Sequence, residues 1–196
     1  MLTNKFKINY SIGSVANGIK TDSFTFFLLF FYSNIIGLNP GLAGSAIFIA
    51  LCIDAVTDPL MGTISDRTSS SLGRRHPYMM ISFIPMSLGY IFLFAPRQDW
   101  DMSQSDLFVW MTIFTVLTRI GMTLFDIPHR AFGGEVTKNY KERTILMSWR
   151  EMVGWVAGLS NAFLGYGIFF ASTPEYPQGQ LNPDAWFPFA VTGAIF

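Results

Sequence analysis

Two aspartates four residues apart stand inside a long apolar stretch of this sequence. Asp54 and Asp58 lie within the run from Leu42 to Ile64, and their spacing places both on one face of a helix. Two carboxylates that close repel each other unless a cation sits between them or one of them stays protonated. The pair therefore predicts a cation site, for Na⁺, Li⁺ or H⁺.

More ionisable residues interrupt the other apolar stretches. With the aspartate pair they make three positive and five negative groups, the others being Lys20, Asp22, Arg119, Asp126, Arg150 and Glu151. Charged groups are costly inside a membrane and by default mark a functional site. The excess negative charge predicts a bound cation or protons. If Lys20 neutralised one of the aspartates, it would act as a tethered cation, which would favour a proton or a switchable ion pair over Na⁺. The alternative is a static network that holds the helices together.

The composition favours a chain surrounded by lipid. Apolar residues make up 51% of the sequence and charged residues 13%, against about 25% charged residues in a soluble domain. The formal net charge of zero argues against a nucleic-acid partner. Nothing in the sequence indicates a cofactor.

Apolar segments of about 20 residues, the length that crosses a bilayer, recur along the chain. They predict an all-α membrane protein in which residues 1–196 form one bundle. The last segment has eleven residues, too few to cross, which favours a chain that is part of a longer protein. The predicted spans are residues 11–36, 42–64, 78–94, 107–132, 145–170 and, incomplete, 186–196.

Basic residues concentrate in the loops on one side of these spans. Nine of them fall on the side of the N-terminus, and Arg97 stands alone on the other side. Basic loops are typical of the cytoplasmic face. We therefore expect a multi-pass protein of the plasma membrane, the inner membrane in a bacterium, with a cytoplasmic N-terminus.

Counting residues along the helices gives the depth of the charged groups. At about 1.5 Å per residue, Asp54, Asp58 and Asp126 lie about 18, 24 and 28 Å from the outer face of a core about 30 Å thick. From the inner face, Lys20 lies at about 15 Å and Arg150 at about 8 Å. The sequence therefore predicts that these groups meet in the inner half of the membrane.

A specific motif joins the aspartate pair to a basic loop. The stretch Asp54-Ala-Val-Thr-Asp58-Pro-Leu-Met-Gly62 is followed by Ser65-Asp-Arg-Thr68 and by Gly73-Arg-Arg-His-Pro-Tyr78. Together with the later segments Phe125-Asp-Ile-Pro128 and Trp149-Arg150, it resembles the melibiose permease-like glycoside–pentoside–hexuronide:cation symporter family of the major facilitator superfamily. The resemblance runs from about residue 12 to residue 165.

The resemblance implies a fold and a function. The fold is that of the N-terminal six-helix half of a major facilitator transporter, with the sixth helix truncated and the C-terminal half missing. The implied function is symport of a small polar solute, a sugar or glycoside, with Na⁺ or H⁺. The implied cation site is Asp54, Asp58 and Thr123, with Na⁺ on the two aspartates if sodium is the coupling ion.

The resemblance also implies a solute site and a conformational switch. Asp126 and Arg150 correspond to sugar-site residues, and we expect Lys20 and Trp149 beside them. In the loop after the second span, Asp66, Arg67 and Arg75 would form ion pairs that tighten or release as the transporter moves; the alternative for these arginines is a role in topology alone.

Two positions depart from the family pattern. Gly18 stands where the family has a sugar-binding aspartate, and Arg130 stands where it has an aromatic residue. The solute could therefore be a different sugar, or a non-sugar such as a lysolipid or organic anion.

Three other classes of protein remain as alternatives. A channel or passive facilitator would not need paired acids at one depth. A fragment without transport activity would have a structural role or none. An intramembrane enzyme would need a nucleophile with a base or a cluster of metal ligands, and the sequence carries neither His-x-x-x-His nor Gly-x-Ser-x-Gly. We therefore expect the chain not to be an enzyme.

Overall fold

The computed structural model describes residues 2–195, which form helices joined by short connections, without a strand in that range. Short 3₁₀ turns lie in two of the connections, at Gln98–Trp100, Gly179–Leu181 and Pro183–Ala185. The α-helices are α1 Asn4–Ile12, α2 Ser14–Ser23, α3 Pro40–Arg67, α4 His76–Ile81, α5 Phe83–Leu93, α6 Gln104–Glu135, α7 Tyr140–Leu164 and α8 Trp186–Ile195.

Three helical segments are long and apolar enough to cross a bilayer: Pro40–Arg67, Gln104–Glu135 and Tyr140–Phe169. The first predicted span differs from them, because its helix breaks at Gly13 and continues from α2 into π-helical turns at Phe24–Leu28 and Phe31–Ile36. The third predicted span breaks at Ser82, between α4 and α5.

Local signals in the sequence explain where the long helices begin. Asn39 caps α3 by accepting a hydrogen bond from the backbone N–H of Gly41, and Pro40 takes the first helical position. Ser103 and Asp106 form a capping box at the start of α6. The segment before α3 ends at Gly37, whose φ of +84° suits glycine. Polar caps thus set the start of the two helices that carry the aspartates.

Small residues bring the helices together. The main pairings are α2 with α7, α3 with α6, and α5 with α6. A Cβ placed on Gly121 of α6 would lie 2.5 Å from the backbone N of Met86 on α5, and one on Gly18 of α2 would lie 2.1 Å from the carbonyl oxygen of Gly154 on α7. Glycines at helix crossings permit such close backbone contact. They therefore fix how α2 faces α7 and α5 faces α6.

An aromatic core fills one end of the bundle. Phe27, Phe31, Phe94, Trp186 and Phe189 are buried and in ring contact with one another. Large apolar side chains also cover much of the outer surface, as at Phe48, Val56 and Phe163. An apolar exterior on long helices fits a lipid environment. Most of the ionisable groups within the helices lie between α2, α3, α6 and α7.

Candidate functional site

Two neighbouring polar cavities lie among these four helices and share Asn17 and Thr21 of α2. The aspartate cavity, about 160 Å³ in volume, is lined by those two residues and by Asp54, Asp58, Arg119, Thr123 and Asp126. The arginine cavity, about 130 Å³, is also lined by Asp22, Arg130, Arg150, Glu151 and Trp155. Helices far apart in the sequence thus contribute charged groups to one region, and Asp54, Asp58 and Asp126 line a single cavity.

Asp54 is paired with an arginine. The Nη1 of Arg119 on α6 donates a hydrogen bond to Oδ2 of Asp54 on α3, and both side chains are largely buried. The guanidinium also lies over the ring of Phe24, 5.4 Å from its centroid. The other carboxylate oxygen of Asp54 is buried and has no hydrogen-bond partner among the described residues. The tethered cation on the aspartate pair is therefore Arg119.

Asp58 has a neutral partner instead. The hydroxyl of Thr123 on α6 donates to Oδ1 of Asp58 at 2.7 Å. Within residues 2–195, Asp58 forms no ion pair with a basic side chain. Because Arg119 neutralises one of the two aspartates, the pair keeps one formal negative charge. One monovalent cation or one proton would balance it.

Asp126 lies between two arginines at the boundary of the two cavities. Arg150 Nη2 donates to Asp126 Oδ1, and Arg130 Nε lies 2.6 Å from the other carboxylate oxygen. The amide of Asn17 also approaches Oδ1, at 3.4 Å. Arg150 is fully buried and bonds Glu151 through Nη1. Asp126 and Arg150, predicted to lie together, are in direct contact.

A histidine completes the support of Arg150. Nε of Arg150 donates to Nδ1 of His129 at 3.3 Å. Nε2 of His129 lies 3.1 Å from the backbone oxygen of Tyr10. Since Nδ1 accepts one bond and Nε2 faces a carbonyl, the neutral imidazole carries its proton on Nε2. The hydroxyl of Ser14 adds a further link by donating to the backbone oxygen of Arg150. The guanidinium is therefore held in a defined position.

The structure corrects the expectation for Lys20. Its ammonium group is fully buried and donates to the backbone oxygen of Gly193 on α8 at 2.8 Å, beside the ring of Tyr90. It lines neither of the two cavities. Lys20 and Asp22 point in different directions, as a two-residue helical spacing requires. Lys20 therefore joins α2 to α8 and does not neutralise an aspartate.

A tryptophan lines the arginine cavity, but it is Trp155 and not Trp149. The two are six residues apart on α7, and Trp149 is half-buried outside both cavities. Asp22 is a second addition to this cavity. It is 4% exposed, its Oδ2 has no hydrogen-bond partner in the described part of the chain, and that oxygen lies where a side chain at Gly158 would have to go.

The loop after α3 forms an ion-pair cluster that contains Asp66 and Arg75 as predicted, but Glu135 in place of Arg67. The guanidinium of Arg75, 7% exposed, contacts Asp66 at 2.7 Å and Glu135 at 2.8 Å. Arg74 also contacts Glu135, at 3.0 Å. Arg67 is exposed and takes no part in these ion pairs. Glu135 at the end of α6 thus supplies the second acid of the cluster and joins α6 to the loop. This residue was not identified from the sequence.

Comparison with known proteins places this architecture in a family. The sequence profile of the family described as MFS/sugar transport protein matches residues 9–196. The chain belongs to this family. The expected all-α major facilitator fold is thereby confirmed, and the protein is a multi-pass membrane protein and not an enzyme.

Individual relatives differ in what their names say they carry. An uncharacterized symporter of Synechocystis sp. is 33% identical over 90% of this chain and 33% of its own length. The sodium-dependent lysophosphatidylcholine symporter 1-A of Danio rerio is 30% identical over 88% of the chain and 32% of its own length. The isoprimeverose transporter of Lactiplantibacillus pentosus is 24% identical over 76% and 30%. The chain spans about a third of the length of each.

Proposed function

We propose that the chain is the N-terminal half of a secondary active transporter that moves a small polar solute, a sugar or glycoside, together with Na⁺ or H⁺. The observation that carries the proposal is the meeting of Asp54, Asp58 and Asp126 in one polar cavity of an otherwise apolar bundle. Buried charges in a membrane are costly and are typical of ion and substrate pathways. The symporter names of the relatives add support.

The proposed cation site is Asp58 with Thr123 and Asp54. The single negative charge that Arg119 leaves uncompensated suits one monovalent cation. The proposed solute site is the arginine cavity with Arg150, together with Asp126, which lines the neighbouring aspartate cavity and bonds Arg150. Asn17 and Thr21 line both cavities. Binding at one site can therefore change affinity at the other, and such coupling acts equally in both directions.

Transport would proceed by alternating access in the plasma membrane, with the N-terminus on the cytoplasmic side. A C-terminal six-helix half would line the opposite wall of the cavities, and the two halves would rock about the bound solute. The cluster of Asp66, Arg75 and Glu135 is the proposed switch, since it links α3, the loop and α6 at one end of the bundle. Opening that end would break these ion pairs.

Uptake measurements test the proposal. Proteoliposomes with the complete transporter would receive a panel of labelled glycosides under an imposed Na⁺ or H⁺ gradient. We expect accumulation above equilibrium with one of the gradients. Asp58→Asn should abolish accumulation, whereas Asp99→Asn, at an exposed loop carboxylate, should retain it. Uptake that persists after both gradients collapse would instead identify a passive facilitator.

An organic anion or a lysolipid is the second candidate solute. Two guanidinium groups, those of Arg130 and Arg150, line the arginine cavity, and guanidinium groups bind phosphate and carboxylate in a forked geometry. A relative with lysophosphatidylcholine in its name points in the same direction. Competition by lysophospholipids, and none by glycosides, for binding to the purified transporter would favour this candidate.

A further inference from the structure

A buried arginine holds the position on Asp54 that a coupling cation would need. Arg119 bonds Oδ2 of Asp54 inside the aspartate cavity. A Na⁺ ion shared by the two aspartates would need oxygens from both carboxylates, and its positive charge would face the guanidinium at close range. As the side chains stand, the residues fit Na⁺ at Asp58 and do not fit it at Asp54.

The surroundings of Arg119 have room for a second position of its guanidinium group. Arg119 also lines a neighbouring cavity of about 200 Å³, together with Thr115, Phe24 and Thr25 among others. The hydroxyl oxygen of Thr115, one helical turn before Arg119, is buried and has no hydrogen-bond partner among the described residues. Nε of Arg119 is also buried and has no hydrogen-bond partner within residues 2–195. A displaced guanidinium thus has both space and an acceptor.

We propose that Arg119 and Na⁺ compete for Asp54. When Arg119 occupies Asp54, Na⁺ is held by Asp58 and Thr123 alone and binds weakly. When the guanidinium moves toward Thr115, both carboxylates are free for the ion. The inference rests on the proposed function for the identity of the ion, but its consequence is a property of binding and not of transport. Removal of the guanidinium should strengthen Na⁺ binding.

The experiment measures equilibrium binding of ²²Na⁺ to the purified complete transporter in detergent at constant pH and ionic strength. For Arg119→Ala we expect a dissociation constant at least tenfold lower than for the wild type. Arg119→Gln keeps a hydrogen-bond donor near Asp54 but lacks the charge, and it should also bind more tightly. The glutamine variant replaces Arg119→Ala as the test if the alanine variant does not fold. Arg119→Lys keeps the charge and should bind Na⁺ as weakly as the wild type.

Two further variants locate the effect. Arg97→Ala removes the same formal charge from an exposed ion pair with Asp184 and should leave Na⁺ affinity unchanged. Arg119→Gln combined with Asp54→Asn should lose the gain, because the second carboxylate is gone. Equal Na⁺ affinity in the wild type and Arg119→Gln, or no binding in either, would overturn the proposal. Since no solute is present, failure to find a transported solute would count against the proposed function alone.

Discussion

The hydroxyl of Thr123 on α6 donates to a carboxylate oxygen of Asp58 on α3 at 2.7 Å. The bond joins the two long helices that carry all three aspartates of the cavity. It also orients the one carboxylate of the pair that is not matched by a basic residue in the described part of the chain. Thr123 therefore holds the proposed cation-binding carboxylate in place and offers its own oxygen to the ion.

Loss of this hydroxyl should weaken coupling to the cation. Thr123→Val keeps the shape of the side chain and removes the donor, at a cost of about 1–3 kcal/mol for a group left unsatisfied. That cost corresponds to a fall in cation affinity of about fivefold to a hundredfold. The measurement is the cation concentration for half-maximal uptake. Thr123→Ser restores the hydroxyl and should restore the affinity; equal values for the valine and serine variants would argue against the role.

A side chain at position 18 should disrupt the packing of α2 on α7. In Gly18→Ala the added Cβ would meet the carbonyl oxygen of Gly154 at 2.1 Å, and a backbone atom cannot rotate away. We expect a loss of stability of about 1–3 kcal/mol, as is usual for overpacking. Thermal unfolding in detergent measures it.

The control for this substitution is Gly44→Ala, also in a helix, where a Cβ meets nothing within 4 Å. Its stability should stay the same or rise by up to about 1 kcal/mol, because alanine favours helix. A larger side chain such as aspartate at position 18 should be worse than alanine. If Gly18→Asp were as stable as the wild type, the close contact of α2 and α7 would be incorrect.

The meeting of the aspartates in the aspartate cavity could be predicted from sequence spacing, but the pairing of Arg119 with Asp54 could not. The four-residue spacing put Asp54 and Asp58 on one face, and counting residues from the helix ends put Asp126 near their level. Neither argument gives the rotation of one helix about its axis relative to another. That rotation turns Lys20 toward Gly193 on α8 and turns Arg119 toward Asp54.

The loop cluster shows the same limit. Asp66 and Arg75 are nine residues apart, and their pairing follows from the motif. Glu135 is 60 residues from Arg75 and lies at the end of a different helix. Only the packing of α3, α4 and α6 brings it to the loop, so no local pattern predicts it. A basic loop beside two helix ends indicates that acids should be sought at the ends of both.

Removal of Arg75 should loosen that end of the bundle more than removal of Arg67. Arg75 is buried and contacts two carboxylates, so Arg75→Ala leaves both Asp66 and Glu135 without their shared partner. The acids are about half exposed, which limits the loss of stability to about 1–3 kcal/mol. Arg67→Ala removes the same charge from an exposed side chain outside the cluster and should change stability by less than about 0.5 kcal/mol. Equal unfolding temperatures for the two variants would contradict the assignment.

Of the two tryptophans on α7, only Trp155 should affect binding of the solute. Trp155 is exposed at the arginine cavity, and an aromatic face beside polar groups suits the apolar face of a sugar ring. Loss of that contact in Trp155→Ala should cost about 1 kcal/mol and raise the solute concentration for half-maximal uptake about fivefold. Trp149→Ala, the same change two turns earlier and outside both cavities, provides the comparison. If Trp149→Ala weakened solute affinity more than Trp155→Ala, the arginine cavity would not be the solute site.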